Sequence, residues 1–311
     1  MKKWIVIVCL FIFAIISIFY FLMPTTQSFI FQTTVSCTEN AVSRNITNKA
    51  KWQLWWPGEK INDTTYGFQN CTYRIDKILL IGIETTVFNR DDSLKGFLQF
   101  IYNGNNSTQF QFTSKHQFSA NPLKRFVQYF QFKKIGTNVE NLLTDAKKYF
   151  DNPENIYGLN IVKEKVTESS MVSAKNTFDH YPSTQEIYAM IVSVKEYVKI
   201  KGGDETSYPM LHVEKMGPMA YEVMVAIPTK TDVPPEGKFQ LKNMRSGTML
   251  MAEVKGGPYS VIKGDEELTN YLSDYKKNSP AIPFQSLVTN RLLETDTSKW
   301  VTKLYYPVFQ Y

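Results

Sequence analysis

The chain is poor in the residues that most often carry chemistry. Its 311 residues include three histidines and three cysteines. His116, His180 and His212 stand far apart with no carboxylate spacing around them that would hold a metal, so they read as solvated or structural. No Gly-x-Ser-x-Gly elbow occurs, and Cys37 and Cys71 have no evident histidine partner, which leaves no nucleophile with a base beside it. Lys201-Gly202-Gly203-Asp204 and Lys255-Gly256-Gly257-Pro258 lack the spacing and the terminal Lys-Ser/Thr of a phosphate loop and read as turns. No basic run concentrates the net charge of +6, so nucleic acid is not an expected partner. No cofactor and no catalytic residue is assigned.

What is present begins with an apolar run. Residues 1–3 form a short stub carrying Lys2 and Lys3, and residues 4–23 follow without a charge, ending before Pro24. That is the length a helix needs to cross ~30 Å of hydrocarbon. The bulky exit Tyr20-Phe21-Leu22-Met23 is unlike a signal-peptide cleavage site. The expectation is therefore an uncleaved transmembrane anchor at 4–23, carrying Cys9, with a cytoplasmic N-terminus and the bulk of the chain on the outer side. Beyond it only Cys37 and Cys71 remain, and they admit either one disulfide or two buried thiols. A hydrophobic content of 43% and an aromatic content of 14% point to folded domains rather than disorder.

Residues 29–165 read as the first domain. Phe29–Val35 is strand-like, and a short helical stretch from Cys37 leads to Trp52-Gln53-Leu54-Trp55-Trp56-Pro57. Leu94–Tyr102 and Phe126-Gln128-Phe130-Phe132 keep period two, as do Phe110 and Phe112, which predicts an antiparallel sheet. Val139, Leu142, Leu143, Ala146 and Phe150 recur at helical spacing and predict a closing helix over 137–150. This order, with the Trp-x-x-Trp-Trp-Pro cue, resembles the START-like polyketide-cyclase and lipid-transport (SRPBCC) superfamily. The resemblance implies a helix-grip fold enclosing an apolar cavity.

A polar join at 163–170 precedes a second domain at 170–309, which repeats itself. Strand-like Met171–Phe178, a helix over Ser183–Lys199, and strands at Met210–Met216 and Ala220–Ile227 are followed by Thr248–Val254, a helix over Tyr259–Lys276, Phe284–Thr289 and Trp300–Val308. A β-α-β-β unit used twice would bury both helices on one sheet. The ordered segments His212-Val213-Glu214-Lys215-Met216, Tyr221–Pro228, Lys255-Gly256-Gly257-Pro258-Tyr259 and Ser298–Val308 resemble a GyrI-like effector-binding domain. The expected fold class is thus α+β: a transmembrane helix, a START-like helix-grip domain, and a duplicated β-α-β-β GyrI-like domain.

That second resemblance implies a cleft between the halves, walled by aromatic side chains and often holding an acidic residue. By motif position Tyr221, Tyr259 and Trp300 are its ligand-binding candidates, or else core aromatics. Where the family commonly reads Pro-x-Glu-x-Tyr, this chain has Pro283-Phe284-Gln285-Ser286-Leu287. Gln285 is the fourth candidate, and its neutral amide can neither balance a buried cation nor act as a general base. The expected function is a membrane-anchored, non-catalytic binding protein for a small apolar, aromatic or amphipathic ligand. The alternatives are a hydrolase or cyclase acting in one of the two cavities, and a structural envelope protein. Direct control of transcription is disfavoured.

Overall fold

The computed structural model describes residues 2–22, 24–90, 92–167 and 169–308. Met1 of the stub, Met23 at the end of the expected anchor and Phe309 at the end of the expected second domain lie outside them, as does the side chain of Cys9. The chain divides into two compact units, Met1–Ile156 and Tyr157–Tyr311. Each is built on one antiparallel sheet, and one of the two sheets is curled into a half-barrel.

The first unit opens with helix α1 (Lys2–Leu22) and strand β1 (Thr26–Val35). Thr38 then caps α2 (Glu39–Ile46) by accepting from Ala41 N, and α3 (Trp52–Trp55) follows. Five strands come next: β2 (Thr65–Phe68), β3 (Cys71–Leu79), β4 (Gly82–Asn89), β5 (Asp92–Tyr102) and β6 (Thr108–Gln117). The sheet order is β1-β6-β5-β4-β3-β2. Alternation seats Leu94, Leu98 and Phe100 of β5 and Phe110 and Phe112 of β6 in the core. Gly96 is needed among them, because a Cβ there would stand 2.1 Å from Phe112 Cζ.

Helix α4 (Pro122–Phe150) packs against β1, β4 and β5. Its start is encoded by Asn121, whose Oδ1 accepts from Leu123 N (3.0 Å) and Lys124 N (3.2 Å), and by Pro122 at the first turn. The strand expected over Phe126–Phe132 is therefore helix. Phe126, Phe130 and Phe132 satisfy a period of two only superficially: Phe126 and Phe130 are also one helical turn apart, and their rings meet at 4.9 Å.

The expected anchor is corrected as well. Among the described residues no helix is long and apolar enough to cross a membrane. The last turn of α1 is also held by α4. Buried Arg125 donates from Nη1 to the Tyr20 carbonyl (3.3 Å), and its guanidinium lies 4.8 Å from the Tyr20 ring centre. The transmembrane span, the single-pass topology and the outward placement of the chain are set aside.

A third correction concerns the interior. The cavity expected between α4 and the sheet is reduced to about 20 Å³ among Trp56, Tyr73, Leu98, Phe112, Val139 and Leu143. Stacked rings fill the rest: Trp52 lies parallel to Trp56 at 6.2 Å, and Phe110 meets Phe150 edge-on at 5.2 Å. Cys37 and Cys71 are buried and form no disulfide, and burial pushes the Cys71 thiol up to about 11.

The second unit is entered through a short helix, α5 (Pro153–Tyr157), that straddles the boundary. Its strands and helices run β7 (Ile161–Val166), β8 (Ser169–Phe178), α6 (Thr184–Ile200), β9 (Met210–Gly217), β10 (Ala220–Thr229), β11 (Gln240–Met244), β12 (Gly247–Lys255), α7 (Pro258–Asp274), β13 (Phe284–Leu287) and β14 (Val301–Val308). Ser183 and Glu186 form a reciprocal capping box at the start of α6. The expected polar join at 163–170 is occupied by β7 and the first residues of β8. Each pass thus has a leading strand that the β-α-β-β reading omits. The order β11-β8-β10-β9-β13-β14-β12-β7 shows that these leading strands are exchanged: β7 pairs with β12 of the second pass, and β11 with β8 of the first. The overall class is α+β with two antiparallel sheets and, among the described residues, no transmembrane helix.

Candidate functional site

Strand alternation in the second unit sends two different side-chain sets to the two faces of one sheet. On β10, Val223, Val225 and Ile227 pack with Ile187, Ile191 and Val194 of α6. On β12, Leu250, Ala252 and Val254 pack with Val261 and Leu268 of α7. Both helices therefore sit on the same face. The intervening residues, Met224, Ala226 and Met249, point away from them.

On that second face lies a cavity of about 590 Å³. Met171, Met210, Met224, Met244 and Met249 line it, with Phe284 and Ile282 on one side and Pro307 and Val308 on another. The volume falls in the range of about 300–1,000 Å³ common for small-molecule sites. Thioethers on unbranched chains make such a wall adaptable in shape. Phe284 is fixed by stacking on Tyr305, with ring centres 5.0 Å apart and planes 13° apart. Burial and the nearby Glu164 carboxylate push the Tyr305 phenol up to about 12.

Three basic side chains complete the lining: His212, Lys242 and Arg245. His212 donates from Nδ1 to the Pro283 carbonyl at 2.8 Å, which leaves Nε2 on the side of Glu214. Glu214 Oε2 stands 3.8 Å from that Nε2. Lys242 places its Nζ 3.2 Å from Met224 Sδ, a weak acceptor. No acidic residue is among the lining residues. Among the described residues, no group of three or more His, Cys, Asp or Glu could hold a metal ion.

The four residues expected from motif position are distributed differently. Tyr221 and Gln285 lie on the helix-bearing face, since Gln285 pairs with the core residues Leu211 and Leu304. Tyr221 meets Tyr181 edge-on at 5.7 Å. Trp300 is buried, donates from Nε1 to the Glu294 carbonyl at 2.8 Å, and carries Arg291 over its ring at 5.0 Å. Tyr259 is 81% exposed at the first turn of α7. The helix-bearing face thus gathers Tyr221 and Gln285, with Trp300 beneath Arg291, and leaves Tyr259 in solvent.

The same face holds polar groups that sequence reading passed over. Arg291 donates from Nη2 to Thr302 Oγ1 at 2.8 Å, and burial pulls its pKa down. Asp265 accepts from the Tyr306 hydroxyl at 2.8 Å, while burial raises the pKa of its carboxyl. Burial also raises the pKa of the Tyr181 and Tyr306 phenols. The cavity-lining methionines were passed over too. Their signal was available in the strand pattern: Met224 and Met249 occupy the alternate positions of β10 and β12, opposite branched aliphatics.

No protein-family model matches the chain, and no curated protein does. Solved structures similar to part of it include the C-terminal domain of EcmrR, at 15% identity over 49% of this chain and 99% of that one, with a TM-score of 0.43. An EcmrR–DNA complex is similar at 16% identity over 61% of this chain and 70% of that one, with a TM-score of 0.45. SAV2435, solved bound to tetraphenylphosphonium, is similar at 16% identity over 48% of this chain and 94% of that one, with a TM-score of 0.32. These likenesses concern about half of the chain.

Proposed function

We propose that the second unit binds a small apolar or amphipathic molecule and releases it chemically unchanged. The observation that carries this reading is the methionine-lined cavity of about 590 Å³ on the helix-free face of the sheet. Its walls offer thioethers, one phenyl ring and prolines, which attract apolar surface without reacting with it. The polar groups at the lining are cations and an imidazole, with no nucleophile paired to a base. Gln285 contributes an amide where a carboxylate would be needed for general-base work, and it lies on the opposite face.

A second reading is favoured by Arg291, which lies over Trp300 close to the Tyr181–Tyr221 pair. There a ligand would enter between α6 and α7, and Tyr221, Gln285 and Trp300 would be the residues to alter, with exposed Tyr259 the least affected. The two readings separate in one experiment. N-phenyl-1-naphthylamine, a neutral dye that brightens in apolar sites, is titrated into the full-length protein and into Ala226→Trp, which fills the cavity from β10. Saturable binding lost in Ala226→Trp supports the cavity. Binding that survives Ala226→Trp but fails in Gln285→Glu transfers the site to the helix-bearing face, and absence of saturable binding sinks both.

A further inference from the structure

The cavity has a charge as well as a shape, and the charge is of one sign. We infer that its ligand is an amphipathic anion, an apolar body carrying one carboxylate or equivalent acidic head, held by Lys242. This inference rests on the cavity being the binding site. Four observations support it. His212, Lys242 and Arg245 are the titratable residues of the lining, and none of the lining residues is acidic. Lys242 is half-buried, and its ammonium points at Met224 Sδ rather than at a carboxylate. A thioether satisfies little of an ammonium's three-donor capacity, so the group remains able to take a stronger acceptor.

Two of the nearby acids are engaged elsewhere. Glu222, on the same face of β10, is paired to Lys175. Glu164, in register with Met249, is hydrogen-bonded with the Tyr305 hydroxyl. Glu214 is exposed and sits beside His212 at 3.8 Å, outside the lining. An anionic head entering beside Lys242 therefore meets an unopposed cation, while a lipophilic cation would meet the three basic side chains of the lining and no lining acid. The five methionines then surround the apolar body, and their flexibility suits a chain or ring system of variable shape.

The test compares three ligands of equal chain length: decanoate, 1-decanol and decyltrimethylammonium, each below its micelle concentration at pH 8. They compete with N-phenyl-1-naphthylamine on the full-length protein. Decanoate is expected to bind about tenfold more tightly than decanol, a modest return for one charge-assisted hydrogen bond, and the cation more weakly than either. In Lys242→Met the decanoate-to-decanol affinity ratio should collapse toward one, and Lys242→Arg should restore it. A ratio near one in the unaltered protein, or a preference for the cation, overturns the anionic assignment while leaving the cavity intact. A ratio that Lys242→Met leaves unchanged overturns the role of Lys242. Failure of the neutral dye to bind at all, or its survival in Ala226→Trp, overturns the cavity itself.

Discussion

Both units are antiparallel sheets backed by helices, yet one interior is closed and the other face stays open. In the six-stranded unit a single long helix lies along the sheet, and Trp52, Trp55, Trp56, Tyr73, Phe110 and Phe150 fill the space, leaving about 20 Å³. In the eight-stranded unit both helices occupy one face, and the other keeps about 590 Å³ among methionines. Large rigid rings lock each other into one arrangement, whereas thioether chains tolerate vacancy and change of shape. The contrast is between an interior filled by rings and a sheet face that keeps open space.

The largest expected effect tests the filled side. Trp52 is fully buried and donates from Nε1 to the Ile46 carbonyl at 2.6 Å, so Trp52→Ala should cost about 3–5 kcal/mol in denaturant unfolding. A loss below about 1 kcal/mol would mean that the first interior is as adaptable as the second. Next comes Gly96→Ala, which would drive a methyl to within 2.1 Å of Phe112 Cζ. Overpacking of this kind should cost about 1–3 kcal/mol, read as a lowered melting temperature, and an unchanged melt would show that Phe112 has room to move.

On the open side the expected costs are smaller. Met224→Leu conserves volume at the cavity wall and should destabilise by less than about 1.5 kcal/mol. A larger loss would show that the thioether wall is packed rather than open. The smallest effect belongs to His180, whose pKa is raised by its hydrogen bond with Asp179 Oδ1 (2.6 Å) and then by Glu186 (3.2 Å). Because the folded pKa is the higher one, this contribution is complete below the unfolded value of about 6.5 and fades as pH rises through the folded pKa. The melting temperature should fall slightly across that window, and His180→Gln should flatten the slope. An equal slope in both proteins would remove His180 from the account.

Much of the local structure was legible in the chain. The period of two along Leu94–Tyr102 admits one buried face, and the 139–150 pattern can bury one helical stripe. Asn121-Pro122 and Ser183-x-x-Glu186 are local helix-start signals, whereas the alternation over Phe126–Phe132 points to a strand. Rings spaced two and four apart satisfy strand and helix alike, and only packing along α4 separates the two. The apolar run at the N-terminus was legible as helix; its role was not, because the anchoring of Tyr20 by Arg125 depends on residues more than a hundred positions apart.

The site was the least legible part. Sequence determined the alternation that puts Val223 and Met224 on opposite faces, and it determined that Gln285 is neutral. It could not decide which face would be covered, because that follows from α6 and α7 both packing on the same side of the sheet. Nor could it decide that Trp300 would lie buried beneath Arg291 while Tyr259 stands in solvent, since loops 288–300 and 256–258 are positioned by contacts across the sheet. The exchange of β7 and β11 between the two passes joins strands distant in sequence, and hydrogen bonds between distant strands are set by the assembled sheet, where local periodicity carries no information about partners.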